Sequence, residues 1–217
     1  MQPTYLPWLG YFDLIEKSDV FVIYDCVQFE KQSWQQRNRI RNKDGEIMLV
    51  LPVKYGNGLL RRINEVEVDY SRNVPKKHLT SIQLSYSKAK NFSAIFFELE
   101  KIYAGKPKML IDINVSLIKL GMKLLNIETP LVYASELNVQ GSRVEALIDI
   151  CKKLSVDRYL SPIGSKGYID ENNLFPENKI KLEYQNYNHP IYEQVNYDNF
   201  ISHLTYIDYL FNTNTTN

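Results

Sequence analysis

The chain has 217 residues, enough for one domain or for two small lobes that share a cleft. Hydrophobic residues make up 44% and charged residues 24%, a balance typical of a globular protein with a sizeable core. The 26 basic and 25 acidic residues leave a net charge of +1, which argues against nucleic acid as a partner. The apolar runs are too short to span a membrane, and the first residues lack the basic and apolar regions of a signal peptide. We therefore expect a cytoplasmic protein with no membrane span.

The chain has 2 cysteines and 3 histidines, too few and too scattered to predict a disulfide framework or a metal site. Cys26 and Cys151 are interpreted as free thiols in a reducing compartment. Cys26 could act as a nucleophile only beside a base, and no motif supplies one. We expect neither a metal nor a cofactor.

The first half of the chain alternates short apolar runs with patterns of helical spacing. The predicted strands cover residues 20–24, 47–53 and 66–70. The predicted helices cover residues 9–17, 75–86 and 92–103. Residues 28–41 are polar, aromatic and basic, which favours a loop or hairpin that lines a site, and residues 55–58 are typical of a turn. Gly105-Lys106-Pro107 marks a candidate boundary between an N-terminal α/β lobe (1–105) and a C-terminal lobe (106–217) that completes the sheet and the cleft.

The second half continues with predicted helices at 110–125 and 200–212 and predicted strands at 130–133, 158–160 and 180–184. Ser142 and Glu145 have the spacing of a capping box, which predicts a helix that begins there. A strand, a helix and a strand in this order predict a right-handed crossover between parallel neighbours. The predicted fold is α/β, with a mostly parallel, Rossmann-like sheet flanked by helices and a largely helical second lobe.

The stretch from Gln2 to Phe12 combines two prolines, a glycine and several large rings just before a predicted helix. Prolines stiffen a loop, and the N–H groups at a helix start can hold a phosphate. Gln2, Tyr5, Trp8 and Tyr11 are candidate substrate-binding residues because their side chains carry polar groups, and three of them carry rings as well. The alternative is a rigid, packed turn.

This layout is similar to that of nucleotidylyltransferases with an H-x-G-H motif. The corresponding residues here are Trp8-Leu9-Gly10-Tyr11, so the imidazoles that would neutralise the transferred phosphoryl group are missing. We therefore expect this chain to share at most the topology of that class and not its chemistry.

A second group of candidates follows the predicted strand at 20–24. Asp25 leaves the carboxyl end of that strand, where open α/β sheets place ligand contacts. Arginine can grip a pyrophosphate with two parallel hydrogen bonds. The candidate substrate-binding residues of this segment are Gln28, Lys31, Trp34, Arg37, Asn38 and Arg39. The alternatives are an aspartate that caps a turn and arginines on a solvated surface.

The histidines and a polar loop supply the remaining candidates. His78 follows two lysines on a predicted helix, where positive charge would keep the imidazole neutral and able to accept a proton. His189 precedes a proline and could be presented by a loop. His203 lies on the last predicted helix, one position before its apolar face. The loop after the predicted strand at 158–160 could hold an anion through Ser161, Gly164, Ser165 and Tyr168.

Several stretches, in this order, resemble the WbqC-like family over nearly the whole chain. They begin with Gln2–Phe12 and continue through residues 21–29, 37–40, 77–79, 159–162 with Gly164, 187–194 and 207–212. The combination is specific, although each stretch alone is weak.

Members of this family accompany genes for O-antigen and other surface polysaccharides of bacteria. The resemblance implies an N-acyl or aminoacyl transferase that acts on a nucleotide-linked amino sugar, with an acyl- or aminoacyl-carrier protein as donor. It implies that Arg37, Arg39 and the Ser161 loop hold the phosphates and that Trp8, Tyr11 and Trp34 stack on base or sugar. His78 or Asp25 would then take the proton from the amine. The alternative is a non-catalytic protein that binds sugar nucleotides or scaffolds other enzymes.

Two departures from the family pattern affect these expectations. The family usually has a second acid after Asp25, and its replacement by Cys26 argues against a mechanism with paired carboxylates. Family members also usually begin with a short apolar strand before the Gln-Pro pair. We expect that this strand lies upstream of Met1 and is missing from the present chain, which would expose a sheet edge.

Overall fold

In the computed structural model, the described residues are 1–54, 61–171, 173–195 and 199–213. The turn predicted at residues 55–58 lies outside them. The helices of the described residues are α1 (Leu9–Glu16), α2 (Val74–Tyr86), α3 (Phe92–Ala104), α4 (Leu110–Leu124), α5 (Arg143–Lys153), α6 (Lys166–Asp170), α7 (Leu174–Glu177) and α8 (Tyr206–Asn212). The strands are β1 (Phe21–Ile23), β2 (Arg37–Asn42), β3 (Gly45–Val50), β4 (Leu131–Tyr133), β5 (Arg158–Ser161) and β6 (Lys181–Tyr184). None of the helices among the described residues combines the length and the hydrophobicity that a membrane span requires.

The chain divides into two compact units, each built from separate stretches of sequence. Unit 1 consists of Met1, Asp13–Tyr24 and Thr129–Asn188, and unit 2 consists of Gln2–Phe12, Asp25–Glu128 and His189–Asn217. The sequence analysis placed instead one boundary near Gly105, between an N-terminal and a C-terminal lobe. That boundary stays a prediction.

Unit 1 contains two parallel pairs of strands, β1 with β4 and β5 with β6. Helix α5 begins at the predicted capping box, where the backbone N–H of Ser142 donates to the Glu145 carboxylate. The apolar face of α5 packs into a buried cluster because its side chains recur at helical spacing. That cluster consists of Val144, Leu147, Ile148, Cys151, Ile169, Phe175 and Ile180.

Met1 lies along β1 in the pattern of a parallel ladder. Its amino group donates to the carbonyl of Val22 (2.6 Å), and its carbonyl accepts from the N–H of Tyr24 (2.8 Å). These groups are on the edge of β1 that does not face β4, since Phe21 and Ile23 supply the bonds on the other edge. Burial lowers the pKa of the Met1 amino group to about 5. The strand expected upstream of Met1 stays a prediction.

Unit 2 is built on the antiparallel hairpin of β2 and β3, which pair from Arg37 opposite Val50 to Asn42 opposite Gly45. Helices α2, α3 and α4 pack in succession, and α8 contacts α3 and α4. Pro75 lies in the first turn of α2, as predicted, because its missing N–H and restricted φ fit that position. Most of the α4 side chains are buried, so this helix forms the centre of the unit.

The mixed α/β class is confirmed, but the described residues contain no large Rossmann-like sheet. They contain three sheets of two strands each, two parallel and one antiparallel. The parallel pair predicted for β4 and β5 is also wrong, since β4 pairs with β1 and β5 pairs with β6. A helix between two strands indicates that the chain crosses over between them. It does not determine whether those two strands pair with each other or each with a different strand.

Two further predictions are corrected by long-range pairing. Residues 66–70 form no regular strand and make only isolated bridges, Val68 with Val53 and Glu67 with Met109. The last helix begins at Tyr206 instead of residue 200. The residues before it run beside β2, where the N–H of Thr205 donates to the carbonyl of Arg39 at 3.1 Å. His203 therefore lies in a connecting segment and not on a helix.

Candidate functional site

The N-terminal turn, residues 2–8 of unit 2, is tied to the segment that leads into β2. The N–H of Tyr5 donates to the carbonyl of Trp34 (2.9 Å), and the amide of Asn38 donates to the carbonyl of Leu6 (2.8 Å). Leu6 has a φ of 45°, a strained conformation for a side chain with Cβ. Asn38 is buried and satisfies the carbonyl that this conformation turns inward. The N-terminal turn and the segment that leads into β2, predicted as two separate groups of candidate residues, therefore lie together.

Gln2 and Tyr11 use their polar groups within this turn and its surroundings. The carboxamide of Gln35 donates to the side-chain oxygen of Gln2 (2.8 Å), and the hydroxyl of Tyr11 donates to the Gln2 carbonyl (3.2 Å). Asn114 of α4, fully buried, donates to the carbonyl of Gln35 (2.8 Å). Tyr11 is 1% exposed, so its ring packs in the core. The geometry favours the packed-turn alternative for Tyr11.

His78 of α2 lies in a buried polar cluster. Its Nδ1 is 2.7 Å from the hydroxyl of Tyr5, which is itself hydrogen-bonded to Tyr103, and its ring also donates to the carbonyl of Val50. Burial lowers the pKa of His78 to about 4. The ring is neutral as predicted, but burial is the main cause, and the lysines at 76 and 77 are not. Both ring nitrogens are used in internal hydrogen bonds, so the role of His78 as a proton acceptor stays a prediction.

Asp25 is also buried, with 3% of its surface exposed. Its carboxylate accepts from the side chain of Asn64 (3.3 Å), and its carbonyl accepts from the Asn64 N–H (3.2 Å). This arrangement fits the alternative in which Asp25 holds a turn together. Burial and the neighbouring Asp25 raise the pKa of the Cys26 thiol, which therefore stays protonated and unreactive at neutral pH.

The arginines of β2 project from one face of the hairpin, because side chains alternate along a strand. We call Arg37, Arg39 and Arg41 the arginine face. Within the described residues, the Nε atoms of Arg37 and Arg39 are buried and make no hydrogen bond. Arg39 forms an ion pair with Glu46 at 3.0 Å, whereas Arg41 is buried and donates to the side chain of Gln194 at 3.2 Å.

Exposed apolar side chains surround these cations. Met48 and Val50 lie directly opposite Arg39 and Arg37 in the ladder. Both apolar side chains are exposed to solvent. The guanidinium of Arg39 lies over the ring of Trp34, 5.6 Å from its centroid, and Trp34 is 48% exposed. A cation on an exposed indole leaves the other ring face open to a flat ligand. The remaining candidates of this segment, Gln28 and Lys31, are exposed.

A stack of rings lies beyond the edge of β2 that does not face β3, and only part of it was predicted. The ring of His203 lies 5.0 Å from that of Trp8 and 4.6 Å from that of His189, the latter pair nearly parallel at 19°. The N–H of His203 donates to Nε2 of His189 at 3.3 Å, which places the proton of a neutral His189 on Nδ1. Burial, and then the neighbouring His203, lower the pKa of His189 to about 4. We call Trp8, His189 and His203 the ring stack.

Thr205 joins the ring stack to the arginine face. Its N–H donates to the carbonyl of Arg39, and it forms an antiparallel bridge with Trp8. Because neighbouring strands lie about 4.8 Å apart, the backbones of Arg39 and Trp8 are about 10 Å apart. A ligand the size of a nucleotide sugar could contact both.

A buried polar network missed by the sequence analysis holds the chain on either side of His203. The carboxylate of Asp208 is fully buried and accepts hydrogen bonds from Tyr86 (2.6 Å), Tyr192 (2.6 Å) and Gln194 (2.8 Å). Burial raises the pKa of Asp208, although these three donors and Arg41 oppose the shift. The sequence shows the residues 192–194 and 207–212 only as family-like stretches, with no signal that they meet.

The Ser161 loop belongs to unit 1. Ser161 is fully buried and pairs with Tyr184 at the end of β5, so its backbone position is structural. Gly164 is exposed, Ser165 is half-buried, and Tyr168 is 43% exposed. These residues form a short 3-10 turn and the start of α6 instead of an extended loop. Their role toward phosphates stays a prediction.

Comparison with known proteins agrees with the resemblance. A family model described as the WbqC-like protein family matches residues 2–217. The chain belongs to the WbqC-like protein family. It is also similar to an uncharacterized protein, Rv1507c, of Mycobacterium tuberculosis (strain ATCC 25618 / H37Rv), with 29% identity over 214 residues, 98% of this chain and 91% of that protein. No solved structure matches.

Proposed function

We propose that this WbqC-like protein binds a nucleotide-linked amino sugar on the arginine face and transfers an acyl or aminoacyl group to its amino nitrogen. The donor would be a thioester, such as an acyl group on a carrier protein, and the product would serve bacterial surface-polysaccharide biosynthesis. The membership in the WbqC-like family supports this class of pathway.

The observation that carries the binding part of the proposal is the state of Arg37 and Arg39. Both lie on one face of a rigid hairpin, and both have a buried Nε that makes no hydrogen bond among the described residues. The Nε atoms are enclosed, but both side chains are only half-buried, so the outer guanidinium N–H groups that Glu46 does not use can donate to an anion. Guanidinium groups match phosphate oxygens in geometry and charge. A diphosphate is therefore the anion that fits two such groups two residues apart on a strand.

The rings on both sides of β2 support a nucleotide and a sugar as the rest of the ligand. Trp34 presents an exposed indole beside Arg39, and the ring stack lies on the other edge. Flat bases and the apolar faces of sugars stack on such rings, whereas free phosphate would not use them. Tyr5, Tyr11, Asp25 and Asn38 would act indirectly, by holding the N-terminal turn and the start of β2 in place.

Replacing Arg37 with glutamine tests the binding site. R37Q should weaken the binding of UDP-linked glucosamine at least about tenfold, since a charge-assisted hydrogen bond contributes roughly 1.5–3 kcal/mol. Titration calorimetry measures the dissociation constant. K43Q is the matched control, because Lys43 lies in the exposed turn of the same hairpin, and it should bind within about twofold of the wild type. Equal affinities of R37Q and wild type would contradict the proposed site.

A second candidate function is binding without catalysis. The two residues predicted to take the proton, His78 and Asp25, are buried and engaged with neighbouring groups. A binding protein needs only rings and donors, and the arginine face supplies both. Release of free thiol from acetyl-coenzyme A in the presence of a UDP-linked amino sugar would separate the two functions, since only an enzyme would produce it.

A further inference from the structure

Acyl transfer needs a group that takes a proton from the attacking amine. Such a group must reach the ligand and must have a nitrogen or oxygen that can accept. His78 is 6% exposed, and its ring is hydrogen-bonded to Tyr5 and to the Val50 carbonyl. His203 differs, since it is exposed and lies close in sequence to Thr205, whose N–H donates to Arg39 of β2.

We propose that His203 is the proton acceptor of this site and that Trp8 and His189 hold its ring in place. This inference rests on the proposed function. His203 lies two residues before Thr205, whose N–H donates to the carbonyl of Arg39. Two residues span at most about 7 Å, so the imidazole lies within reach of a ligand bound to the arginine face.

The conformation of the backbone points in the same direction. His203 has a φ of 59°, in the left-handed region that favours glycine. Strained conformations of this kind persist where surrounding contacts hold them, and they cluster at functional sites. Here the N–H of His203 is held by Nε2 of His189, and the following residues are held by β2 and by Trp8.

The neighbours of the imidazole are an indole and a second imidazole. The ring of Trp8 lies 5.0 Å from that of His203, and an indole attracts a cation placed over its face. His189 accepts a hydrogen bond at Nε2 and is neutral, so it adds no positive charge beside the His203 ring. Of the three arginines of the arginine face, Arg39 is paired with Glu46, and Arg41 donates to Gln194.

The chemical step balances without a further reactant. The amino nitrogen of the sugar attacks the thioester carbonyl, and a C–N bond forms while His203 takes a proton from that nitrogen. The C–S bond then breaks, and the departing thiolate takes the proton from the imidazolium. The products are an N-acylated sugar and a free thiol, and the imidazole returns to its neutral form.

The test compares H203Q with the wild type, using UDP-linked and dTDP-linked amino sugars as acceptors and acetyl-coenzyme A as donor. Glutamine keeps the size and hydrogen-bonding capacity of the side chain but cannot take the proton. We expect kcat to fall at least about a hundredfold while the dissociation constant of the sugar nucleotide changes less than about threefold. The acidic limb of the wild-type pH profile should disappear in H203Q. S202A, at the exposed neighbouring position, is the control and should behave as the wild type.

Each result decides between the inference and the function on which it rests. If the wild type is active and H203Q is equally active with the same pH profile, His203 is not the acceptor and the proposed function stands. If the wild type binds the sugar nucleotides but releases no thiol, the acceptor role is overturned and the binding function remains. If the wild type neither binds nor turns over these ligands, both proposals are overturned.

Discussion

His78 shows how the surroundings of one side chain set its protonation. Its ring is enclosed by Tyr5, Tyr103 and the backbone of Val50, and burial lowers its pKa to about 4. An unfolded chain exposes the same ring, with a pKa near 6.5. The unfolded state therefore binds more protons than the folded state at mildly acidic pH. The stabilisation from a neutral His78 is complete above pH 6.5 and is lost as the pH falls toward 4.

We expect the free energy of unfolding of the wild type to fall by about 2 kcal/mol more than that of H78Q between pH 6.5 and 4.5. Urea titrations at a series of pH values measure this difference. H189Q is the control, and its effect should be smaller because His189 is half-exposed and screened by solvent. Parallel pH dependences of wild type and H78Q would show that His78 is not neutral by burial.

Helix α4 packs too closely at one glycine to admit a larger side chain. A Cβ atom at Gly121 would lie 2.3 Å from Cζ of Phe12 and 3.2 Å from Cε2 of Tyr206. Phe12 and Tyr206 pack edge to face, with their centroids 4.9 Å apart, so neither ring can move without disturbing the other. The glycine is therefore a packing requirement of unit 2.

The substitution G121A should destabilise the protein by about 1–2 kcal/mol. The steric clash outweighs the roughly 1 kcal/mol that alanine gains over glycine in a helix interior. Thermal and urea unfolding would measure the effect. In G105A, at the end of α3, the added Cβ meets only ordinary contacts at 3.4 Å, and stability should change by less than about 0.5 kcal/mol. A more stable G121A would mean that the two rings repack easily.

At the scale of the whole molecule, each unit depends on residues far apart in the chain. In unit 2, the N–H of Tyr206 donates to the carbonyl of Pro7, and its hydroxyl donates to the carbonyl of Leu117. Asp208 accepts from Tyr86, 122 residues earlier. The buried carboxylate therefore links α8 to α2 and to the segment that carries His189.

A double-mutant cycle of Y86F and D208N should give a coupling of about 1–3 kcal/mol in unfolding free energy. Removing the tyrosine hydroxyl leaves a buried charge with one donor fewer, whereas in D208N there is no charge to compensate. Urea unfolding of the four proteins provides the values. The cycle Y184F with D170N is the control, since that pair is exposed at the surface of unit 1 and should couple by less than about 0.5 kcal/mol. Additive effects at Tyr86 and Asp208 would contradict the network.

The helices are the part of the fold that could be predicted best from the sequence. Helices α2, α3 and α4 begin and end within one residue of the predicted bounds, because the 3.6-residue period and the Gly-Pro breaks are local signals. Helix α8 was predicted six residues too long at its start. Its apolar period continues upstream of Tyr206, but the pairing of Thr205 with Arg39 and Trp8 prevents helix formation there.

The candidate site was predictable by residue type but not by arrangement. The arginines and the tryptophan in the segment 28–41 already indicated an anionic, ring-containing ligand. The burial of His78, the contact of His203 with Trp8 and the network around Asp208 depend on residues between 14 and 195 positions apart. The local sequence thus determined most of the helices and the family, whereas the hairpin, the strand partners and the accessible histidine were decided by tertiary contacts. Such contacts form between chain segments whose separation leaves no periodic signal in the sequence.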